Sequence, residues 1–190
     1  MKEQLQKDFD NIIKNLSLSQ KDIEIKKFSL DNFINKGFPN RKEEDWKFSD
    51  LNQIIKKNIG ELSFYNDYTS TNKVDTSVFV DGLEHNKIVF INGRIEKIDF
   101  DYEKKDQIEI IDQSETINKF DNNNSLSDLN NAFTNKSFKI VIKNSYKLSK
   151  PLIIYHTTNS KIWSKNINLK LDFELQEDSS LRLIDLFNDT

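Results

Sequence analysis

INLKLDFEL, residues 167–175, alternates apolar and polar side chains without a fault. Ile167, Leu169, Leu171, Phe173 and Leu175 fall on one side of an extended chain, and Asn168, Lys170, Asp172 and Glu174 on the other. A period of two is the pattern of a half-buried β-strand. The flanking sequence repeats it. Phe138, Ile140 and Ile142 alternate, Leu152 to Tyr155 form an aliphatic run behind Pro151, and Leu181 and Leu183 open one more strand. The four strands therefore start near 138, 152, 167 and 181. These steps are longer than the roughly 8–12 residues of a sandwich meander, and no Asn-Gly pair closes tight hairpins among them. The spacing favours strands that coil into a β-solenoid. A sandwich stays open as the alternative, because no side-chain pattern repeats strictly.

Upstream the period changes. Leu5, Phe9, Ile12, Ile13 and Leu16 lie on one helical stripe, and Ser17 to Gln20 interrupt it. A second helix, starting near Ser19 or Ser29, carries Leu30, Phe33 and Ile34 and stops at Gly37, with Pro39 close behind. Ser49 or Asp50 caps a third, whose Leu51, Ile54 and Ile55 precede Lys56 and Lys57. Residues 61–86 read as an irregular connector, including Thr69 to Asn72. Residues 87–91 and 94–98 flank Asn92-Gly93, the dipeptide that tolerates the two positive φ angles of a type I′ turn, and so form a β-hairpin. Ile108 and Ile110 suggest a strand, Asn122 to Asn124 a loop, and Leu126, Leu129, Ala132 and Phe133 a helix. The expected organisation is a helical region over 1–57, a small α/β unit over 58–135 containing the hairpin 87–98, and the start of a β-helix core over 136–190.

Composition narrows the function. A chain of 190 residues buries roughly 70% of its unfolded surface, and 14 Phe, 5 Tyr and 2 Trp give it a core despite 31% charged residues. With 28 basic and 31 acidic residues the net charge is -3, so no positive field draws nucleic acid or anionic membrane. Zero Cys excludes disulfides, a Cys nucleophile and an iron-sulfur cluster held on the chain's own thiolates. Two His leave little for zinc. No apolar run suits a signal peptide or a membrane span, and the expected location is cytoplasmic.

Few residues suggest chemistry. Asp172 and Glu174 project from one side of a strand, the arrangement a glycosidase pair needs, but charged residues on the wet face of a half-buried strand are ordinary. Strict alternation places Asp185 on the apolar row, where an unpaired carboxylate costs several kcal/mol; a one-residue irregularity turning it outward is the favoured reading over a buried functional acid. His85, in a polar loop, and His156, at a strand end, have no second His or Cys at ligand spacing, so surface or packing roles are expected. Trp46 and Trp163 read as anchors with the ring buried and the N–H bonded. With four glycines, no phosphate loop, dinucleotide fingerprint or nucleophile elbow occurs.

Three stretches carry a family resemblance. GFPNRKEEDWKFSDL, residues 37–51, resembles the N-terminal motif of SufD, the scaffold subunit of the SUF iron-sulfur cluster assembly system. Gly37, Pro39, Arg41, Glu43, Trp46 and Lys47 fit it, with Phe38, Phe48 and Ser49 as mild variants. KIVFINGRIEKI, residues 87–98, resembles the family's segment with Asn92, Gly93 and Arg94. Residues 129–158, with Lys150-Pro151 before an aliphatic strand, resemble the helix that leads into its first β-helix rungs. The sister subunit SufB places its N-terminal tryptophan in a Glu-Pro-x-Trp setting absent here.

The resemblance implies an α+β fold, in which a helical region and a small α/β unit lead into the first rungs of a right-handed parallel β-helix. It implies a non-enzymatic scaffold, part of a protein complex with a SufB-like subunit and a SufC-like ATPase, that builds and hands over iron-sulfur clusters. No cofactor is expected on this chain. The motif residues Gly37, Pro39, Arg41, Glu43, Trp46, Lys47, Asn92, Gly93, Arg94 and Pro151 are expected to be structural. In the family the β-helix continues and ends in a SufC-docking helical domain, and the cluster-handling residues and SufB contact lie in that later part. The expectation is thus a C-terminally truncated fragment, prone to self-association. The rivals are a carbohydrate-active β-solenoid using Asp172, Glu174 and Asp185, and an α+β binding module unrelated to cluster assembly.

Overall fold

The computed structural model describes residues 2–65, 73–114, 124–159, 162 and 165–189. Trp163, Thr69 to Asn72, and Asn122 and Asn123 lie outside them. The described residues form an α+β fold of four α-helices and two mixed sheets, and none of their helices is long and apolar enough to cross a membrane.

The chain divides into two compact units that interleave along it. One comprises Met1–Asn66, Gln113–Asn135 and Ser164–Lys170, and the other Asp67–Asp112, Lys136–Trp163 and Leu171–Thr190. The consecutive division at 57 and 135 does not describe these units. Its middle portion is shared out because the helix at 125–133 packs against the second helix of the chain, whereas the hairpin near 90 pairs with a strand beyond 150.

The first unit is helical. α1 (Lys2–Lys14) buries Leu5, Phe9 and Ile12, the stripe its period predicts. The Ser19 hydroxyl caps α2 (Gln20–Lys36) by accepting the Asp22 N–H at 3.2 Å. α2 ends where Gly37 takes φ +74° and donates its N–H to the Phe33 carbonyl at 2.7 Å, a conformation that a Cβ would strain. Asp50 caps α3 (Leu51–Asn58), and Asn124 caps α4 (Ser125–Phe133). Phe133 of α4 stacks on Phe64, with ring centroids 3.6 Å apart, and meets Phe9 edge-on. With Leu30, Phe33 and Phe38 these rings form one buried cluster.

The second unit is built on strands β1 (Asn86–Ile91), β2 (Arg94–Asp99), β3 (Ile108–Asp112), β4 (Lys136–Ile142), β5 (Leu152–Thr158), β6 (Leu169–Leu175) and β7 (Leu183–Asp189). One sheet has the order β2-β1-β5-β7, the other β3-β4-β6. β1 and β2 form the expected hairpin, with Asn92 at φ 52° and Gly93 at φ 79°. β5 runs parallel to β1 on one side and to β7 on the other, and β3 runs antiparallel to β4. The Gln176 N–H, just past β6, donates to the Ile142 carbonyl at the end of β4 (3.0 Å), so these two strands end together.

β1 and β5 are nearly continuous apolar runs because both their faces are covered. Phe90 packs against Phe138 of the second sheet, with centroids 5.8 Å apart. On the opposite face Val89, Ile91, Ile153 and Tyr155 are covered by Val74 and Phe79. The segment read as a featureless connector therefore supplies one lid of the core. β6 and β7 each begin two residues after the apolar spacing places them, leaving Ile167 and Leu181 outside the strands.

Candidate functional site

The 37–51 motif divides into a buried and an exposed half. Phe38 and Pro39 are buried, and Phe38 meets Phe33 edge-to-face at 5.0 Å. Glu43 closes a local turn by accepting the Asn40 N–H at 3.1 Å. Arg41 is exposed. Lys47 forms a 3.7 Å ion pair with Glu44, both side chains well exposed, and covers the ring of Phe48, which is 91% exposed. Trp46 departs from its expected role. It sits on a single 3-10 turn (Glu44–Trp46), half-buried and outside the Phe9–Phe133 cluster. One turn followed by an exposed aromatic does not bring the indole to the core.

The other motif residues hold strands in place. Asn92 makes the turn and also clamps it, since its Nδ2 donates to Asn159 Oδ1 at 2.9 Å and its Oδ1 accepts the Asn159 N–H at 3.1 Å. Arg94 lies 3.7 Å from Glu96. The Pro151 carbonyl accepts the Asn86 N–H at 2.8 Å, which starts the parallel β1–β5 pairing.

Asp172 and Glu174 stay together on β6, and Asp185 does not join them. Glu174 is ion-paired with Lys139, and the hydrogen bond from that ammonium holds the Glu174 carboxyl below the usual carboxylate range. A group kept ionised in this way is a poor general acid. Asp185 lies on another sheet, and its position corrects the expected irregularity. The β5–β7 register runs unbroken from Leu152–Leu183 to Thr158–Asp189, so Asp185 stays on the same face as Ile154. It is tolerated there because β7 is an edge strand: the side chain remains 48% exposed, with Oδ1 2.8 Å from His156 Nε2. His156 is stacked between rings, and burial pushes its imidazole below the ordinary value against the pull of Asp185.

Three polar clusters were not singled out from the sequence. His85 takes the packing role, buried in the loop that precedes β1. Its Nδ1 faces the Leu83 carbonyl at 2.5 Å, so Nδ1 carries the proton and Nε2 accepts from the Tyr155 hydroxyl at 2.7 Å. That hydroxyl in turn accepts the Val80 N–H at 3.0 Å, and burial raises its pKa against the opposing amide bond. Glu103 joins two turns by accepting from Asn86 Nδ2 (2.9 Å), Tyr146 Oη (2.8 Å), Ser149 Oγ (3.0 Å) and the backbone of Ser149 and Lys150. Burial acts to raise its pKa, but these bonds prevail and hold the carboxyl low.

Lys26 is buried against the last turn of α4, with Nζ donating to the carbonyls of Asn131 (3.1 Å), Ala132 (3.4 Å) and Thr134. Burial lowers its pKa to about 8, opposed by Asp22. One signal was legible. Lys26 lies among the apolar positions of α2, four residues before Leu30, where a charge needs partners. Nothing local distinguishes Glu103 from its acidic neighbours.

Lys26, His85 and Glu103 are each engaged by protein partners, while Asn86 Oδ1 beside Glu103 is buried without one, and none of the three charged or imidazole groups lines the groove of the second unit. A groove of about 450 Å³ in the second unit is floored by Ile98, Phe100, Ile108 and Ile110. Its rim charges, Lys97 with Asp99 and Lys105 with Asp101, neutralise each other. Among the described residues no group of three or more His, Asp or Glu could hold a metal ion. No family model matches the chain, and no curated protein matches it.

Proposed function

We propose that this chain is a SufD-like, non-catalytic part of a cytoplasmic scaffold that assembles iron-sulfur clusters with a SufB-like subunit and a SufC-like ATPase. The cluster is cargo of the complex and is not held by this chain. The observation that carries the proposal is the strand arrangement. β1, β5 and β7 stack in parallel in one sheet, while β4 and β6, which alternate with β5 and β7 along the sequence, lie in the other. Successive strands switching sheets in this way suit the opening rungs of a parallel β-helix, which the resemblance of residues 37–51, 87–98 and 129–158 implies.

The carbohydrate-enzyme rival has less support. Glu174 is held ionised by Lys139 and Asp185 faces His156 on a different sheet, an arrangement that does not favour the acid and base of a glycosidase. Co-expression of the whole gene product with SufB-like and SufC-like subunits from the same genome tests the proposal. Co-purification in a complex that stimulates ATP hydrolysis is expected, and a product that stays apart from both subunits overturns it.

A further inference from the structure

Phe90 on β1, His156 on β5 and Phe187 on β7 occupy matching register positions on three adjacent parallel strands. Their rings form a column. Phe90 and His156 lie 5.3 Å apart and 7° from parallel, and His156 and Phe187 lie 4.5 Å apart and 9° from parallel. Asp185, two residues before Phe187 on the same face, places Oδ1 2.8 Å from His156 Nε2.

Much of the apolar row of β7 is exposed. Leu183, Ile184 and Phe187 are 44%, 38% and 74% exposed. Beyond the backbone ladder, its described seat on β5 includes Leu186 against the Tyr155 cluster, the ring column and the His–Asp contact. The group in that seat that changes charge near neutrality is the imidazole.

Its surroundings do not welcome a proton. β1 contributes Phe90, and β4 contributes Phe138 behind it. From β6 the corresponding face offers Leu171, Phe173 and Leu175. Lys136 of β4 and Asp112 of β3, at one end of this layer, pair with each other at 3.7 Å. Asp185 alone favours the imidazolium, and it is half in water, which weakens its field.

We propose that protonation of His156 loosens β7 from β5, making the seating of that strand pH-dependent. The sign follows from linkage. A base that is harder to protonate when docked than when free weakens docking as pH falls below the free value of about 6.5, and leaves it intact above. With β7 released, the parallel edge of β5 becomes available to another strand.

Hydrogen exchange resolved by peptide, corrected for the intrinsic pH dependence, tests this at pH 8 and pH 5. Protection of residues 183–188 is expected to fall roughly tenfold relative to residues 86–91 and 152–157. His156→Phe keeps an all-aromatic column without a titrating group and should hold protection constant across this range. Asp185→Asn removes the carboxylate that favours the imidazolium and should deepen the loss at pH 5, with its onset still set by the free imidazole. Unchanged protection of 183–188 in the unmodified chain overturns the proposal, and so does a pH dependence that persists in His156→Phe.

Discussion

β5 and β7 are neighbours in one sheet, pair residue for residue and carry similar apolar rows, yet they live in different environments. Leu152, Ile153, Ile154 and Tyr155 are buried, while Leu183, Ile184 and Phe187 are exposed. β5 has a strand on each edge and a cover on each face, whereas β7 has a strand on one edge only among the described residues. An apolar period specifies which side of a strand should be buried. It does not specify that anything covers that side.

The largest expected effect separates the two strands directly. Tyr155→Ala removes a buried ring and leaves the Val80 N–H and His85 Nε2 without their partner, so urea unfolding should show a loss of about 3–5 kcal/mol. A loss below about 1 kcal/mol would mean that β5 is no better covered than β7.

Lys26→Ala applies the same logic to a charged side chain in the helical unit. Unpairing carbonyls at the end of α4 and opening a cavity should cost about 2–4 kcal/mol in the same assay. Its pH dependence is specific. Because the folded pKa of about 8 lies below the ordinary lysine value of 10.5, the unfolded chain binds the proton more tightly. The unmodified protein should therefore gain stability relative to Lys26→Met as pH rises from 8 to 10.5; a falling difference would contradict the assigned burial.

Glu103→Gln should cost about 1–2 kcal/mol at pH 7, since the amide replaces an acceptor of several bonds with a group that also donates. The depressed carboxyl contributes stability above its unfolded pKa and loses it as pH falls through the folded value. An acid titration of the two proteins should accordingly converge at low pH, and curves that stay parallel would remove Glu103 from the account. Phe187→Ala should be the mildest change, below about 1 kcal/mol, because most of that ring is in water. A larger loss at high protein concentration alone would show that β7 is covered by another molecule.

Much of the secondary structure was readable because its signals are local. Ser19, Gly37, Asp50 and the Asn92-Gly93 turn act within a few residues of themselves. The candidate site was less legible. Alternation places Asp185 on the apolar face, where the structure has it, and no one-residue irregularity turns it outward, because on β7 that side chain stays half in water. Trp46 was assigned an anchoring role from residue type, but the single turn beneath it leaves the indole outside the cluster.

The sequence alone determined the helices, the Gly37 stop, the hairpin and the two-residue period of the later strands, and narrowed two caps to pairs of candidates, since each depends on backbone geometry and on the order of near neighbours. Only the tertiary structure decided that α4 belongs with α2, that β1 pairs with β5, and that Lys26, His85 and Glu103 meet their partners. Those choices bring together groups dozens of residues apart, and what settles them is the burial of apolar surface and the pairing of polar atoms across that distance, which no local pattern encodes.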